Sequence, residues 1–107
     1  MLAYEITPAD AALLLREEAA RMIDVREPWE FATARIEGSL PMPMGEVAAR
    51  AQHELSRGER LVIVCHHGVR SLNVTAWLRR EGFDKAQSLQ GGIDEWSRLV
   101  DASVARY

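Results

Sequence analysis

The chain has 107 residues, 48% of them hydrophobic, and a formal net charge of −3, which together predict one globular domain over residues 1–107. The acidic charge and the lack of Lys/Arg runs argue against a nucleic-acid partner, and no apolar stretch approaches the roughly 20 residues that cross a membrane. Cys65 is the single cysteine, which excludes an internal disulfide, and the first residues lack a signal-peptide pattern, so we expect a cytoplasmic protein. Small molecules or other proteins are the expected partners.

Helices and strands are predicted to alternate along the chain. Thr7 is placed as a helix cap with Pro8 at the first helical position, which predicts a helix to about Glu18. The apolar run over residues 21–25 predicts a buried strand, and a turn follows before a short helix over about residues 29–34. The further predicted elements are a brief strand within residues 38–44, a helix over about 45–55, strands over 61–64 and 85–89, a helix over about 69–80 and a final helix after Gly91-Gly92.

This order predicts an α/β fold with a central, mostly parallel sheet of about four to five short strands and helices on both faces. The continuous apolar run over residues 61–64 is typical of a central strand that is covered on both sides. Trp29, Phe31 and Trp96 are expected in the core, with Trp29 also a candidate for a pocket rim, and Met42 and Met44 are expected to fill the core near a loop.

Cys65 lies where the central strand gives way to the loop His66-His67-Gly68-Val69-Arg70-Ser71 and then to a helix. Loop amides and the helix start would stabilise an anion or a thiolate there, which makes Cys65 a candidate nucleophile. The alternative is a buried cysteine that acts only as a small hydrophobic residue. Asp24-Val25-Arg26 follows another strand, and ligands of open α/β sheets bind beyond the carboxyl ends of strands, which favours the catalytic interpretation.

The polar residues near Cys65 leave several roles open. Arg70 at a helix start needs an anionic ligand or a carboxylate, for which Asp24 is one candidate, unless Arg70 forms only a surface ion pair. His66 and His67 can donate ring N–H bonds or carry partial positive charge. With Cys65 they could suggest a metal site, but the spacing is poor and a fourth ligand is lacking, because His53 reads as a surface residue; we therefore expect no metal.

Three segments in register resemble signatures of the rhodanese family of sulfurtransferases. The first covers residues 22–31 and continues over 36–39, the second is the loop at 65–71, and the third covers 89–96. The resemblance extends over nearly the whole chain and implies a single rhodanese-like domain that needs no cofactor.

The resemblance implies that Cys65 takes a sulfane sulfur from an anionic donor such as thiosulfate and holds it as a persulfide. The acceptor would be cyanide in an assay and a thiol or a protein in the cell. The loop residues His66, His67, Gly68, Val69, Arg70 and Ser71 would surround the persulfide, and Arg70 would hold the donor. By the same resemblance Asp24 and Arg26 are supporting residues, with Asp24 bracing the loop.

Three alternatives remain. Tyrosine phosphatases place one more residue between cysteine and arginine than the four found here, and Glu27 and Glu30 are the remaining candidates for the acid that such an enzyme needs. The domain could also be a non-catalytic partner-binding module, or a sulfur carrier fed by another protein. The chain departs from the family at Ala34-Arg35-Ile36, where Gly-His-Ile is frequent, and at His66, where the thiosulfate enzymes carry Lys or Arg. We therefore expect thiosulfate affinity to fall as pH rises and the histidines lose protons.

Overall fold

The computed structural model describes residues 1–107 and contains one five-stranded sheet whose strands are all parallel, in the order β1-β5-β4-β2-β3. The strands are β1 (Glu5–Ile6), β2 (Arg21–Asp24), β3 (Leu40–Pro41), β4 (Leu61–Val64) and β5 (Ala86–Leu89). The helices are α1 (Pro8–Arg16), α2 (Pro28–Thr33), α3 (Val47–Glu54), α4 (Val69–Arg80) and α5 (Gly92–Leu99), and a 3₁₀ turn over Met44–Glu46 precedes α3. The predicted α/β fold with a parallel sheet is confirmed.

The two faces of β4 build two separate halves of the core. Leu61 and Ile63 pack with α3 and α4, whereas Val62 and Val64 pack with α1 and α5. All four side chains are buried, as the continuous apolar run predicts. Cys65 continues the Leu61 and Ile63 face, so its side chain is part of the same half of the core.

The predicted element boundaries are close to those observed, with one strand missed. Thr7 caps α1 by accepting a hydrogen bond from the Asp10 amide at 3.2 Å, as expected, but the helix ends at Arg16, and Glu18 adopts a left-handed φ of +54°. The missed strand, β1, has only two residues and pairs with the far edge of β5. These two residues are too few to show an alternation of apolar and polar side chains. They form a strand because they pair with β5.

Some of the aromatic and methionine residues predicted in the core are buried and others are exposed. Met42 and Trp96 are buried, but Trp29 is 63% exposed and Met44 is 45% exposed, so the prediction that they belong to the core was wrong. In α2 the buried side chain is Glu30 rather than Trp29, because the inner face of that helix meets charged partners. None of the helices combines the length and the apolar character needed to cross a membrane.

A buried ion pair holds the corner between β2 and α2. Arg26 donates from Nε and Nη2 to the Asp24 carboxylate at 2.9 and 2.7 Å, and both residues are 1% exposed. Nη2 of Arg26 also donates to the Ala34 carbonyl at 2.6 Å, beyond the end of α2. Because the Arg26 guanidinium binds both Asp24 and Ala34, the pair ties the start of the corner to its end.

We predict that Asp24→Asn lowers the free energy of unfolding by about 3–5 kcal/mol, because it leaves the Arg26 guanidinium buried without its counter-ion. Urea denaturation of wild type and variant measures the difference. Asp84→Asn is the matched control, since Asp84 is exposed. A loss no larger than that of the control would contradict the prediction.

Candidate active site

The sulfur of Cys65 sits in a cup made of main-chain N–H groups. The amides of Gly68 and Ser71 donate to Sγ at distances of 3.1 and 3.3 Å, and the Ser71 hydroxyl oxygen lies 3.2 Å from Sγ. Cys65 is 1% exposed. The thiol is therefore buried, as in the hydrophobic interpretation, but its sulfur also faces two donors that would stabilise negative charge.

The loop takes this shape because it lies against the start of α5. Gly68 caps α4 with a φ of +103°, which turns the chain back towards the sulfur. The amides of Ile93 and Asp94 donate to the carbonyls of Cys65 and His66 at 2.8 and 3.1 Å. With these carbonyls held by α5, the amides of Gly68 and Ser71 face the sulfur.

Gly92 makes this contact possible. A Cβ at Gly92 would lie 2.4 Å from the His66 carbonyl oxygen and 2.5 Å from that of Cys65, and its φ is +64°. No side chain fits at that distance from main-chain atoms. Gly92 of the third signature thus allows the loop and α5 to touch.

Arg70 is bound by Glu30 and not by Asp24, so the candidate partner from the sequence was wrong. Nη1 and Nη2 of Arg70 donate to the two carboxylate oxygens of Glu30 at 2.7 and 2.9 Å, and the Glu30 side chain is 5% exposed. Asp24 is already engaged by Arg26. Glu30 reaches Arg70 across 40 positions of sequence, and it also accepts a hydrogen bond from the Glu27 amide at 3.0 Å at the start of its own helix.

Tyr107, which the sequence did not single out, joins the two ion pairs. Its hydroxyl accepts from Nη1 of Arg26 at 2.9 Å and donates to Glu30 Oε2 at 2.7 Å. Burial raises the pKa of Tyr107 to about 12, so the hydroxyl keeps its proton at neutral pH. Asp24 and Arg26 thereby reach the Cys65 loop through Tyr107, which stacks on His66 and also binds Glu30, the partner of Arg70.

The two histidines after Cys65 differ in their surroundings. The ring of His66 is stacked between His67 and Tyr107, with ring centroids 4.0 Å apart in each case, and its Nε2 is buried without a partner. Burial, followed by repulsion from His67, lowers the pKa of His66. The ring is therefore mainly neutral at neutral pH, whereas His67 is exposed to solvent. Nowhere in the structure do three His, Cys, Asp or Glu side chains cluster as they would around a metal ion.

A family model described as Rhodanese-like domain matches residues 7–99. The chain belongs to the rhodanese-like domain family. It is 32% identical over 94 residues to the thiosulfate sulfurtransferase GlpE of Actinobacillus pleuropneumoniae, covering 88% of this chain and 86% of that one. It is 35% identical over 81 residues to the putative sulfur carrier protein YrkF of Bacillus subtilis, covering 76% of this chain and 43% of that one.

The fold agrees with solved rhodanese structures. A human single-domain sulfurtransferase superposes with a TM-score of 0.86 at 27% identity, covering 92% of this chain and 98% of that one. Within this rhodanese-like domain, Glu30 is poorly suited to the acid role that a phosphatase needs, because the hydrogen bond from Arg70, together with one from Tyr107, lowers the pKa of Glu30 to about 2. Its carboxylate is charged wherever a phosphatase would need it to be protonated.

We predict that Glu30 stabilises the folded protein at pH values above about 4.5, its usual pKa, and that this contribution disappears as pH falls towards about 2. The urea midpoint of Glu30→Gln should therefore lie below that of wild type at pH 6, and the two should converge as the pH is lowered. The control is Glu37→Gln, whose side chain is 90% exposed and whose difference from wild type should not change with pH. A constant gap for Glu30→Gln would contradict the assignment of this carboxylate as a charged partner of Arg70.

Proposed function

We propose that this protein is a sulfurtransferase that carries a sulfane sulfur as a persulfide on Cys65, with thiosulfate as a small-molecule donor. The observation that carries the proposal is the pair of amides, from Gly68 and Ser71, directed at a buried sulfur at the carboxyl end of the central strand. Rhodanese-like relatives with sulfurtransferase names support the same chemistry.

In the first half-reaction the Cys65 thiolate attacks the outer sulfur of thiosulfate. A bond forms between Sγ and that sulfur, the sulfur–sulfur bond of thiosulfate breaks, and its electron pair leaves with sulfite. In the second half-reaction an acceptor attacks the outer sulfur and Sγ leaves again as a thiolate. Cyanide as acceptor gives thiocyanate, and in the cytoplasm a thiol or a protein would take this place.

The loop over residues 66–71 stabilises the charge of the persulfide through its main-chain amides. Arg70 has both terminal nitrogens on Glu30, so its role is to present its remaining N–H groups to the oxygens of the donor from a fixed position. Arg26 and Asp24 support this position through Tyr107 and Glu30.

A second candidate function is a sulfur carrier that receives its sulfur from another protein. The observation that favours it is the neutrality of the site: Glu30 compensates Arg70, Asp24 compensates Arg26, and the pKa of His66 is lowered. A dianion such as thiosulfate is attracted weakly by such a site, whereas docking of a protein does not depend on that charge. The similarity to a putative sulfur carrier of Bacillus subtilis agrees with this alternative.

We predict that wild type gains the mass of one sulfur atom after brief incubation with thiosulfate, and that cyanide removes it with release of thiocyanate. Cys65→Ser should gain nothing, because Cys65 is the only thiol. Intact-mass spectrometry measures both. If wild type gains nothing from thiosulfate but gains one sulfur atom from a persulfidated donor protein, the carrier function is correct; if it gains nothing from either, both candidates fail.

The role of Arg70 is tested by substituting Arg70 and its partner Glu30 together. Glu30→Gln/Arg70→Gln keeps the net charge of the site, and we predict about a tenfold rise in the KM for thiosulfate through loss of a charge-assisted hydrogen bond to the donor. Steady-state thiocyanate formation measures it. The ion pair of Arg50 and Glu46, which lies outside the Cys65 loop, provides the control, Glu46→Gln/Arg50→Gln, for which KM should not change. An unchanged KM in the site variant would show that Arg70 does not bind the donor.

A further inference from the structure

Two buried serine hydroxyls form a chain that ends at the sulfur of Cys65. Ser88 lies in β5, where its Oγ is 2.7 Å from Oγ of Ser71, and Oγ of Ser71 is 3.2 Å from Sγ. Both serines are 0% exposed. Neither hydroxyl has any other hydrogen-bond partner, so the chain consists of three groups joined by two links.

Ser88 faces the same half of the core as the thiol. Alternation along β5 puts it on the face of Ala86, which packs in the same apolar cluster as Cys65, and opposite to Leu89. A polar side chain at such a position loses its contact with water without improving the apolar packing. Its position is therefore explained by its hydrogen bond to Ser71 rather than by the core.

The number of protons in the chain depends on the state of the cysteine. When Cys65 is a thiol, three protons, one on sulfur and one on each hydroxyl, compete for two links, so one proton is buried without an acceptor. When Cys65 is a thiolate, Ser88 donates to Ser71, Ser71 donates to Sγ, and every proton has an acceptor. Because an unpaired buried donor is costly and a hydrogen bond to a charged group is strong, the closed chain favours the thiolate.

From this count we infer that Ser88 is a positioning residue, which orients the Ser71 hydroxyl as a donor and so favours the thiolate form of Cys65. The inference rests on the proposed function, in which this thiolate is the attacking species. It adds a residue outside the loop, 23 positions after the cysteine (88 − 65), to the groups that prepare the nucleophile. The same orientation serves the persulfide, whose inner sulfur carries no proton.

The ultraviolet absorbance of the thiolate tests this directly. Cys65 is the only cysteine, so its titration is the difference between each protein and the same protein carrying Cys65→Ser. We expect Ser88→Ala to raise the midpoint of this titration by about 0.5–1 pH unit, the effect of losing roughly one ordinary hydrogen bond. Ser88→Thr retains the hydroxyl and should restore the midpoint of wild type.

A double-variant comparison separates this role from a packing effect. If Ser88 acts through Ser71, Ser88→Ala should raise the midpoint in wild type and have no further effect in the Ser71→Ala background. Thr75→Val is the matched control, because Thr75 is a buried residue one turn further along α4 whose hydroxyl has no partner. This control should leave the midpoint unchanged.

The charged and titratable groups around the loop are the same in all these variants. A difference in titration midpoint between two variants therefore does not come from a change in these groups. These groups are Arg70 and His67 of the loop, His66 beside the thiol, Glu30 of α2, Asp94 of α5 and Tyr107.

An unchanged midpoint in Ser88→Ala, or an equal shift in the Ser71→Ala background, would overturn the inference. Near-ultraviolet circular dichroism verifies that each variant is folded, and if Ser88→Ala fails this check it is replaced by Ser88→Gly, which also removes the hydroxyl. The titration requires no sulfur donor. Failure of the proposed function, with no sulfur gained from any donor, is therefore distinguishable from failure of the serine chain.

Discussion

The close approach between the loop after Cys65 and the start of α5 is the constraint on which the site depends. Gly92 permits it, since any Cβ there would overlap the carbonyls of Cys65 and His66. Once these carbonyls accept from α5, the loop cannot turn its amides outward. The cup around the sulfur is thus a consequence of main-chain packing between two elements that are distant in sequence.

The charged side chains near the site bind one another, whereas the main chain supplies donors to the sulfur. Two ion pairs, Asp24 with Arg26 and Glu30 with Arg70, are linked by the hydroxyl of Tyr107 into one group of satisfied hydrogen bonds. Burying such charges is costly unless each finds its partners, and here each does. The group contributes a defined geometry with almost no net charge, and the main-chain donors that face Sγ are the amides of Gly68 and Ser71.

The sequence predicted the features that depend on local pattern. The bounds of α4 and the placement of Cys65 after a doubly covered strand were correct, because a cap, a period and a continuous apolar run lie within a few residues. The partner of Arg70 was not predicted, because Glu30 and Arg70 are 40 positions apart and a carboxylate on the inner face of a short helix has no local signature.

Tyr107 and Ser88 were missed for a related reason. Tyr107 contacts Glu30 from 77 positions away, and Ser88 lies in a strand whose sequence resembles any half-polar strand until its neighbours are known. The exposure of Trp29 has the same origin: composition favours its burial, but the charged group beneath α2 takes the inner face. A sequence predicts features that depend on neighbouring residues, whereas contacts between residues far apart in sequence become known only from the fold.

Because the donors of the sulfur cup come mainly from the main chain, the hydrogen bonding of the sulfur and the character of the surrounding surface are set by different atoms. The atoms that hold Sγ belong to the backbone of Gly68 and to Ser71, whereas the neighbouring side chains of His67 and Val69 point into solvent, the latter 71% exposed. Neither of these two side chains supplies a donor to Sγ. The side chains around the sulfur can therefore vary while the main-chain donors to Sγ stay the same.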